Sequence, residues 1–228
     1  MAVGFSVNDE IKEQQQKLVG TSPKEKLDYF LDYYKFHTIG VLLALILVTF
    51  FIRDIMAQKD SAMYAIYING FPNVESEEFM EGFSEYIGIN TDKEETILED
   101  NFYLSEEDTS EYTMANVQKL VALAAAGSLD VIVADEYYFN QYGAQGFFHD
   151  LRDVLSQEQI AQYEDLFVYI DIDDDDSDEA IPIGICVTDA SKIVSTESFP
   201  NADCYFSVVA SSTHIENAIA YLDYLHME

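Results

Sequence analysis

A run of seventeen residues without a formally charged side chain, from Phe36 to Ile52, constrains the folding of this chain more than any other feature. Residues 41–48 within it are apolar without interruption. A transmembrane helix usually needs about 20 apolar residues. This helix extends upstream, because Ser22-Pro23-Lys24-Glu25 is typical of a capped helix N-terminus. The sequence therefore predicts a helix over residues 23–57 that contacts the cell membrane through residues 36–52.

Two other interpretations of the apolar run fit less well. A helix buried in a soluble core would show a polar face, and this run has none. If the run belonged to a cleaved signal peptide, the charged region before it would be over thirty residues long, which is longer than such a region usually is. In addition, Ile55-Met56-Ala57 is a poor small-x-small cleavage site. We therefore expect an uncleaved membrane anchor.

Basic residues on either side of the run predict its orientation. The four lysines nearest before the run are Lys17, Lys24, Lys26 and Lys35, and the two basic residues that follow it closely are Arg53 and Lys59. Basic residues are retained on the cytoplasmic side of a membrane. We therefore expect residues 1–22 to form a cytoplasmic tail and residues 60–228 to form one extracytoplasmic domain.

The charge of the chain excludes one class of partner. There are 43 acidic and 11 basic residues, which gives a formal net charge of −32. Residues 1–59 are balanced, so the whole excess lies after them, where the basic residues are only Lys93, Lys119, Arg152 and Lys192. A nucleic-acid partner needs a basic face, and we expect no nucleic acid to bind.

Strands and helices alternate in the first half of the acidic region. Residues 62–68 are rich in β-forming side chains, residues 96–104 form a second predicted strand, and residues 129–134 form a third that is apolar on both faces. Between them lie two amphipathic helices, with apolar positions Phe79, Phe83, Tyr86 and Ile87 in one and Val117, Leu120, Val121 and Ala124 in the other. This alternation indicates an α/β fold, with a single mostly parallel or mixed sheet and flanking helices, preceded by one transmembrane helix.

The second half continues with shorter elements. Ser156 and Gln159 have the spacing of a capping box, which predicts a short helix. Residues 166–172 and 180–187 are predicted strands on either side of an acidic run, and residues 204–210 form the last strand. Thr213-His-Ile-Glu216 has the pattern of a cap for a final helix.

The acidic run from Asp171 to Glu179 contains the candidate cation ligands of the chain. Calcium takes six to eight oxygen ligands, but the spacing of an EF-hand fails, because a loop that begins at Asp171 has Pro182 where the last glutamate belongs. A solvated acidic hairpin tip is the favoured interpretation. The side chains that would attract a divalent cation are Asp173, Asp175, Asp176 and Asp178.

No residue pattern in the sequence indicates catalysis or a cofactor. The four histidines lack metal or triad spacing, and a phosphate loop, a nucleophile elbow and a G-x-G-x-x-G motif are absent. We therefore expect a protein that is not an enzyme and that carries no cofactor. Cys186 and Cys204 fall in predicted strands, where either a disulfide between neighbouring strands or two buried thiols is allowed.

A ligand site is predicted directly after the strand at residues 129–134. Ligands of open α/β sheets bind beyond the carboxyl ends of the strands. The residues at that place are Asp135, Glu136, Tyr137 and Tyr138. The aromatic cluster that follows the strand consists of Tyr137, Tyr138, Phe139, Tyr142, Phe147 and Phe148. The alternative interpretation, which we favour, is that these rings bind no ligand and pack a loop onto the sheet.

Residues 119–135, KLVALAAAGSLDVIVAD, resemble a segment of the type 2 extracellular solute-binding proteins, in which a helix ending in "aaG" leads into a strand. Residues 146–155, Ile181-Pro182-Ile183-Gly184 and residues 204–225 are similar to further segments of that family. The resemblance implies one lobe of such a protein, truncated and fused to a membrane anchor. Residues 24–40, KEKLDYFLDYYKFHTIG, are similar to juxtamembrane segments of small membrane proteins of Gram-positive bacteria, which implies a bacterial cell membrane.

These patterns lead to two functional hypotheses. The first is a membrane-anchored extracytoplasmic binding module without catalysis, which recognises a small solute or a protein partner. The second is a structural or accessory subunit of a membrane complex, such as one associated with a transporter. An exposed apolar patch within residues 60–228 would favour the second hypothesis.

Overall fold

The computed structural model describes residues 12, 20, 22–108, 110–172 and 179–227. The chain divides into two compact units, Met1–Gln58 and Lys59–Glu228. The candidate cation ligands Asp173, Asp175, Asp176 and Asp178 lie outside the described residues.

The first unit contains one long helix, α1 (Pro23–Ala57), which begins and ends where the sequence pattern predicts. Its segment Lys35–Ala57 contains an 18-residue window with a mean hydropathy of 2.3 and is long and apolar enough to span a membrane. The hydroxyl of Thr49 donates a hydrogen bond to the carbonyl of Leu45 at 2.7 Å. The polar group of this threonine is therefore satisfied within the helix, as a lipid environment requires.

The second unit is built from six strands and seven helices among the described residues. The strands are β1 (Asp60–Ile68), β2 (Glu94–Phe102), β3 (Val131–Asp135), β4 (Phe167–Ile170), β5 (Ile181–Cys186) and β6 (Cys204–Val208). The helices are α2 (Ser76–Ile87), α3 (Glu111–Ala125), α4 (Glu136–Ala144), α5 (Leu151–Val154), α6 (Gln157–Tyr163), α7 (Ser191–Ser195) and α8 (Ile215–Leu225), and a 3₁₀ turn spans Glu164–Leu166.

The six strands form one mixed sheet in the order β2-β1-β3-β6-β5-β4. The pairs β1–β2 and β1–β3 are parallel, whereas β3–β6, β6–β5 and β5–β4 are antiparallel. The predicted α/β class with flanking helices is confirmed, and of the two sheet types expected, mostly parallel or mixed, the sheet is mixed. Parallel pairing is restricted to the three strands whose connections contain α2 and α3, since a parallel crossover needs a long connection.

Helices cover both faces of the sheet and bury two apolar cores. The first core packs side chains of α2 and α8 against one face, and its largest buried members include Tyr67, Phe83, Phe206 and Tyr221. The second core packs α3 and α4 against the other face, where Leu120 and Phe139 are buried beside Ile66 and Ile132. A sheet covered on both faces explains why β3 is apolar at successive positions.

Helix α3 does not bury the whole face that its sequence predicts. Leu120 and Ala124 are buried, but Val117 and Val121 are 40% and 53% exposed. The buried face instead includes Asn116, whose side-chain amide donates to the carbonyl of Tyr103 at 3.0 Å. The apolar residues of α3 are therefore divided between the core and the surface.

Side-chain caps define four of the seven helix starts that the structure describes in the second unit, at Ser110, Asp135, Asp150 and Ser156. The capping box of Ser156 and Gln159 is present as predicted. The predicted cap of the last helix is wrong, because α8 begins at Ile215 after His214 and has no side-chain cap. The hydroxyl of Thr213 donates instead to the carbonyl of Gly127 at 3.2 Å. Gly127 follows the C-terminus of α3 with a φ of +66°, a conformation that favours glycine.

Candidate functional site

The carboxyl ends of β1 and β3 meet where the strand order reverses, which is the usual ligand position in α/β sheets. The chain leaves β1 toward β2 on one side and leaves β3 toward β4 on the other. Asn69, directly after β1, donates from its side-chain amide to Asp135 Oδ2 at 2.7 Å and accepts from the backbone N–H of Leu104 at 2.9 Å. Asn69 therefore ties the ends of three strands together, a role that no local sequence pattern indicates.

Asp135 is held by two hydrogen bonds at this edge. Its Oδ1 accepts from the backbone N–H of Tyr138 at 3.0 Å, which caps helix α4, and its Oδ2 accepts from Asn69. Both oxygens of this predicted ligand residue therefore have a partner within the chain. The carboxylate fixes the start of α4 relative to the strand ends.

The other three predicted site residues differ in their exposure. Glu136 is exposed in the first turn of α4, Tyr137 is 45% exposed, and Tyr138 is buried. The ring of Tyr138 contacts that of Tyr137 edge-on at a centroid distance of 4.9 Å. Burial raises the pKa of Tyr138 to about 12, and a hydrogen bond to the Glu106 carboxylate raises the pKa of Tyr137. Both phenols stay protonated near neutral pH, and ligand binding by these residues stays a prediction.

The two cysteines are free thiols in the structure. Cys186 lies opposite Tyr205 in the β5–β6 pair, so these two side chains share one face of the sheet. Cys204 precedes Tyr205 on β6, which places its side chain on the other face, within the first core. The two residues lie at the end of the β5–β6 pair, where Cys186 Sγ lies 3.5 Å from the hydroxyl of Thr188 and the Cys204 side chain contacts the same threonine.

The cysteines differ in their expected reactivity. Burial raises the pKa of Cys204 to about 12, so at pH 8 it is almost entirely the unreactive thiol. Cys186 is half-buried. We expect iodoacetamide at pH 8 to alkylate Cys186 alone in the folded protein and both thiols in urea, as read by mass spectrometry. Rapid labelling of Cys204 in the folded protein would contradict this burial.

A carboxylate and an imidazole lie together at the opposite end of β3. Asp130 is fully buried and accepts from the Ser212 hydroxyl at 2.7 Å, while His214 Nδ1 lies 3.3 Å from each carboxylate oxygen. In a catalytic triad the serine hydroxyl bonds the imidazole nitrogen that the aspartate does not contact. Here the Ser212 hydroxyl donates to the aspartate itself, so the three residues are not arranged as a catalytic triad. Their hydrogen bonds instead connect the start of β3 to the start of α8.

An open cavity of about 500 Å³ lies on the first core's side of the sheet. It is bordered by α6 and by the C-terminal ends of α2 and α8. The residues that line it combine acidic, amide, hydroxyl and aromatic groups: Tyr86, Ser156, Glu158, Gln159, Gln162, Tyr163, Asp223, His226 and Met227.

Asp223 is the most constrained polar group of this cavity. Its Oδ1 accepts from the Tyr163 hydroxyl at 2.8 Å, and its Oδ2 accepts from the Gln159 side chain at 3.2 Å. The carbonyl oxygen of the same Gln159 side chain accepts from the N-cap residue Ser156, so the capping box also orients the cavity. A carboxylate has about four lone-pair positions, so Asp223 can accept further hydrogen bonds.

His226 closes one side of the cavity after the end of α8. Its Nδ1 lies 3.0 Å from the carbonyl oxygen of Leu222, and its ring lies 5.0 Å from that of Tyr163. Because a carbonyl only accepts, Nδ1 carries a proton, and a neutral ring then has its lone pair on Nε2. The sequence did not indicate this cavity, since its residues come from three separate segments.

The structure places no metal ligands together within the described ranges, where no group of three or more histidine, cysteine or acidic side chains could hold an ion.

A comparison of the chain with known protein families, with curated proteins and with solved structures found no match.

Proposed function

We propose that this protein is a membrane-anchored binding module without catalysis. In this proposal α1 crosses a bacterial cell membrane once, residues 1–22 lie in the cytoplasm, and residues 60–228 lie outside and bind a small polar solute. The asymmetry of the basic residues around α1 supports the orientation. The resemblance of residues 119–135 to a solute-binding lobe supports the class of ligand.

The observation that carries the proposal is the cavity lined by Tyr163 and Asp223. Its volume of about 500 Å³ falls within the range of small-molecule sites, about 300–1,000 Å³. It presents hydrogen-bonding groups that are already oriented by neighbouring side chains, as Asp223 is by Tyr163 and Gln159. A preoriented site loses less entropy when a ligand binds.

Thermal unfolding of the full-length protein in lipid nanodiscs tests this proposal. The solutes are grouped by chemistry: neutral sugars, zwitterionic amino acids, alkylamines and carboxylic acids. A solute present at a hundred times its dissociation constant adds about 2.7 kcal/mol to the free energy of unfolding. We expect one group to raise the unfolding midpoint in a saturable manner. If no group raises it up to millimolar concentrations, the proposal of a solute-binding module is wrong.

A second candidate function is an accessory subunit of a membrane complex, and the surface of α3 favours it. Met114, Val117 and Val121 lie on one side of this helix, and each is at least 40% exposed. Exposed apolar stripes of this kind are typical of protein contacts. Residues 60–228 carry the whole net charge of −32. The partner that we propose for this surface is therefore a protein whose contact face has an apolar centre and a basic rim.

Photo-cross-linking in intact membranes tests this second function. A benzophenone side chain at Val121 should form one product of defined mass with a basic protein, and the same group at exposed Asp203 should not. The substitution Met114→Lys should remove that product. A product that contains two copies of this chain would instead indicate self-association through α3, and equal products from both positions would contradict a specific surface.

A further inference from the structure

We propose that the cavity lined by Tyr163 and Asp223 binds a primary ammonium group of a small organic amine. This inference rests on the proposed solute-binding function and names the ligand class. It follows from three properties of the lining: its charge, its aromatic walls and its hydrogen-bond acceptors.

The charge of the lining selects a cation. Glu158 and Asp223 contribute two carboxylates, and the lining contains no lysine or arginine. The surrounding domain is strongly acidic, which raises the local concentration of cations. An anionic solute would be repelled, and a neutral one would leave the carboxylates without a counter-charge.

The aromatic walls favour an organic cation over a metal ion. Tyr86, Tyr163 and His226 present three rings to the cavity. Lys192 shows that this part of the domain already holds an ammonium group, because its Nζ lies 5.2 Å from the ring centroid of Tyr224, which in turn contacts Tyr86 at 5.7 Å. Such contacts between a cation and an aromatic face contribute about 0.5–2 kcal/mol. Lys192 itself is not part of the lining.

The acceptors favour an ammonium that carries N–H donors. Asp223 has lone pairs left after accepting from Tyr163 and Gln159, and Glu158 is exposed at the rim. Nδ1 of His226 donates to the carbonyl of Leu222, so in its neutral form the ring offers an acceptor at Nε2. A primary ammonium has three donors and can satisfy three such groups. A quaternary ammonium has none, so it gains only the charge attraction and the aromatic contacts.

Isothermal titration of the full-length protein in zwitterionic nanodiscs tests the inference at constant ionic strength. The probes are n-pentylamine, n-pentanol, pentanoate and tetramethylammonium. We expect saturable binding of n-pentylamine, with the other three at least tenfold weaker. Tetramethylammonium that binds as tightly as n-pentylamine would overturn the role of the hydrogen-bond acceptors.

Two variants and a matched control locate the binding site. Asp223→Asn keeps the size of the side chain and removes its charge, and should weaken n-pentylamine binding at least tenfold. Glu158→Gln changes an exposed side chain, cannot disturb the core, and should weaken it about threefold. Asp203→Asn removes the same charge outside the cavity and should have no effect.

The outcomes separate this inference from the function on which it rests. Equal weakening by all three substitutions would mean that the amine responds only to net charge, which overturns the site. Binding of a sugar or a carboxylic acid, but not of the amine, would overturn the ligand class and leave the solute-binding function standing. If no solute in either experiment binds, both proposals fail.

Discussion

Replacement of Asp130 by alanine is expected to lower the free energy of unfolding by about 3–5 kcal/mol, the usual cost of removing one partner from a buried charged network. The Asp130 carboxylate is fully buried and accepts from the backbone N–H of Tyr64 at 2.9 Å, from Ser212 and from His214. Alanine would leave these donors without this acceptor, which costs about 1–3 kcal/mol for a donor that is buried, whereas Ser212 and His214 are only half-buried. Urea unfolding followed by circular dichroism measures the loss.

Two matched substitutions show whether the loss comes from this network. Asp130→Asn keeps one acceptor oxygen and should cost less than alanine. Asp203→Ala removes an exposed aspartate and should change the stability by no more than about 0.5 kcal/mol. If Asp130→Ala and Asp203→Ala cost the same, the buried network does not stabilise the fold.

Replacement of Gly184 by alanine is expected to cost about 1–3 kcal/mol, the range for overpacking a tight core. A Cβ atom on Gly184 would overlap the ring of Phe139. That ring cannot move aside easily, because it stacks on Tyr205 at a centroid distance of 4.8 Å and on Phe148 at 6.1 Å. Glycine at this position of β5 therefore lets α4 approach the sheet, and urea unfolding measures the cost of losing that approach.

A double-mutant cycle isolates this contact. Phe139→Leu alone should destabilise the protein by removing a buried ring. In the Phe139→Leu background, however, Gly184→Ala should cost at least 0.5 kcal/mol less than in the natural chain, because residues in contact do not behave additively. Strictly additive costs would show that the overlap with Phe139 is not the reason for the glycine.

Local sequence patterns predict most elements of the second unit but not their arrangement. The strand predicted at residues 129–134 is β3 (Val131–Asp135), and the one predicted at residues 204–210 is β6 (Cys204–Val208). Those patterns depend on neighbouring residues, which the sequence displays directly. The insertion of β6 antiparallel between β3 and β5 depends on contacts between distant segments, so no local pattern reveals it.

The candidate site shows the same division between local and distant information. The carboxyl end of β3 was predicted, because a buried strand followed by acidic and aromatic residues is a local pattern. Asn69 was missed as a partner of Asp135, since 66 positions separate the two. The cavity was missed as well, because its lining combines Tyr86, the segment from Ser156 to Tyr163 and the segment from Asp223 to Met227. Only the folded chain brings these residues together.

The position of β2 at the edge of the sheet has a consequence for crowding at a membrane. An edge strand carries unpaired backbone groups that can pair with another chain. Strand β2 has four acidic side chains, Glu94, Glu95, Glu99 and Asp100. If α1 anchors the protein as proposed, copies in a bilayer meet in two dimensions and collide far more often than in dilute solution. Repulsion between their acidic edges would then oppose their joining into a continuous intermolecular sheet, and high salt or acid would weaken that repulsion.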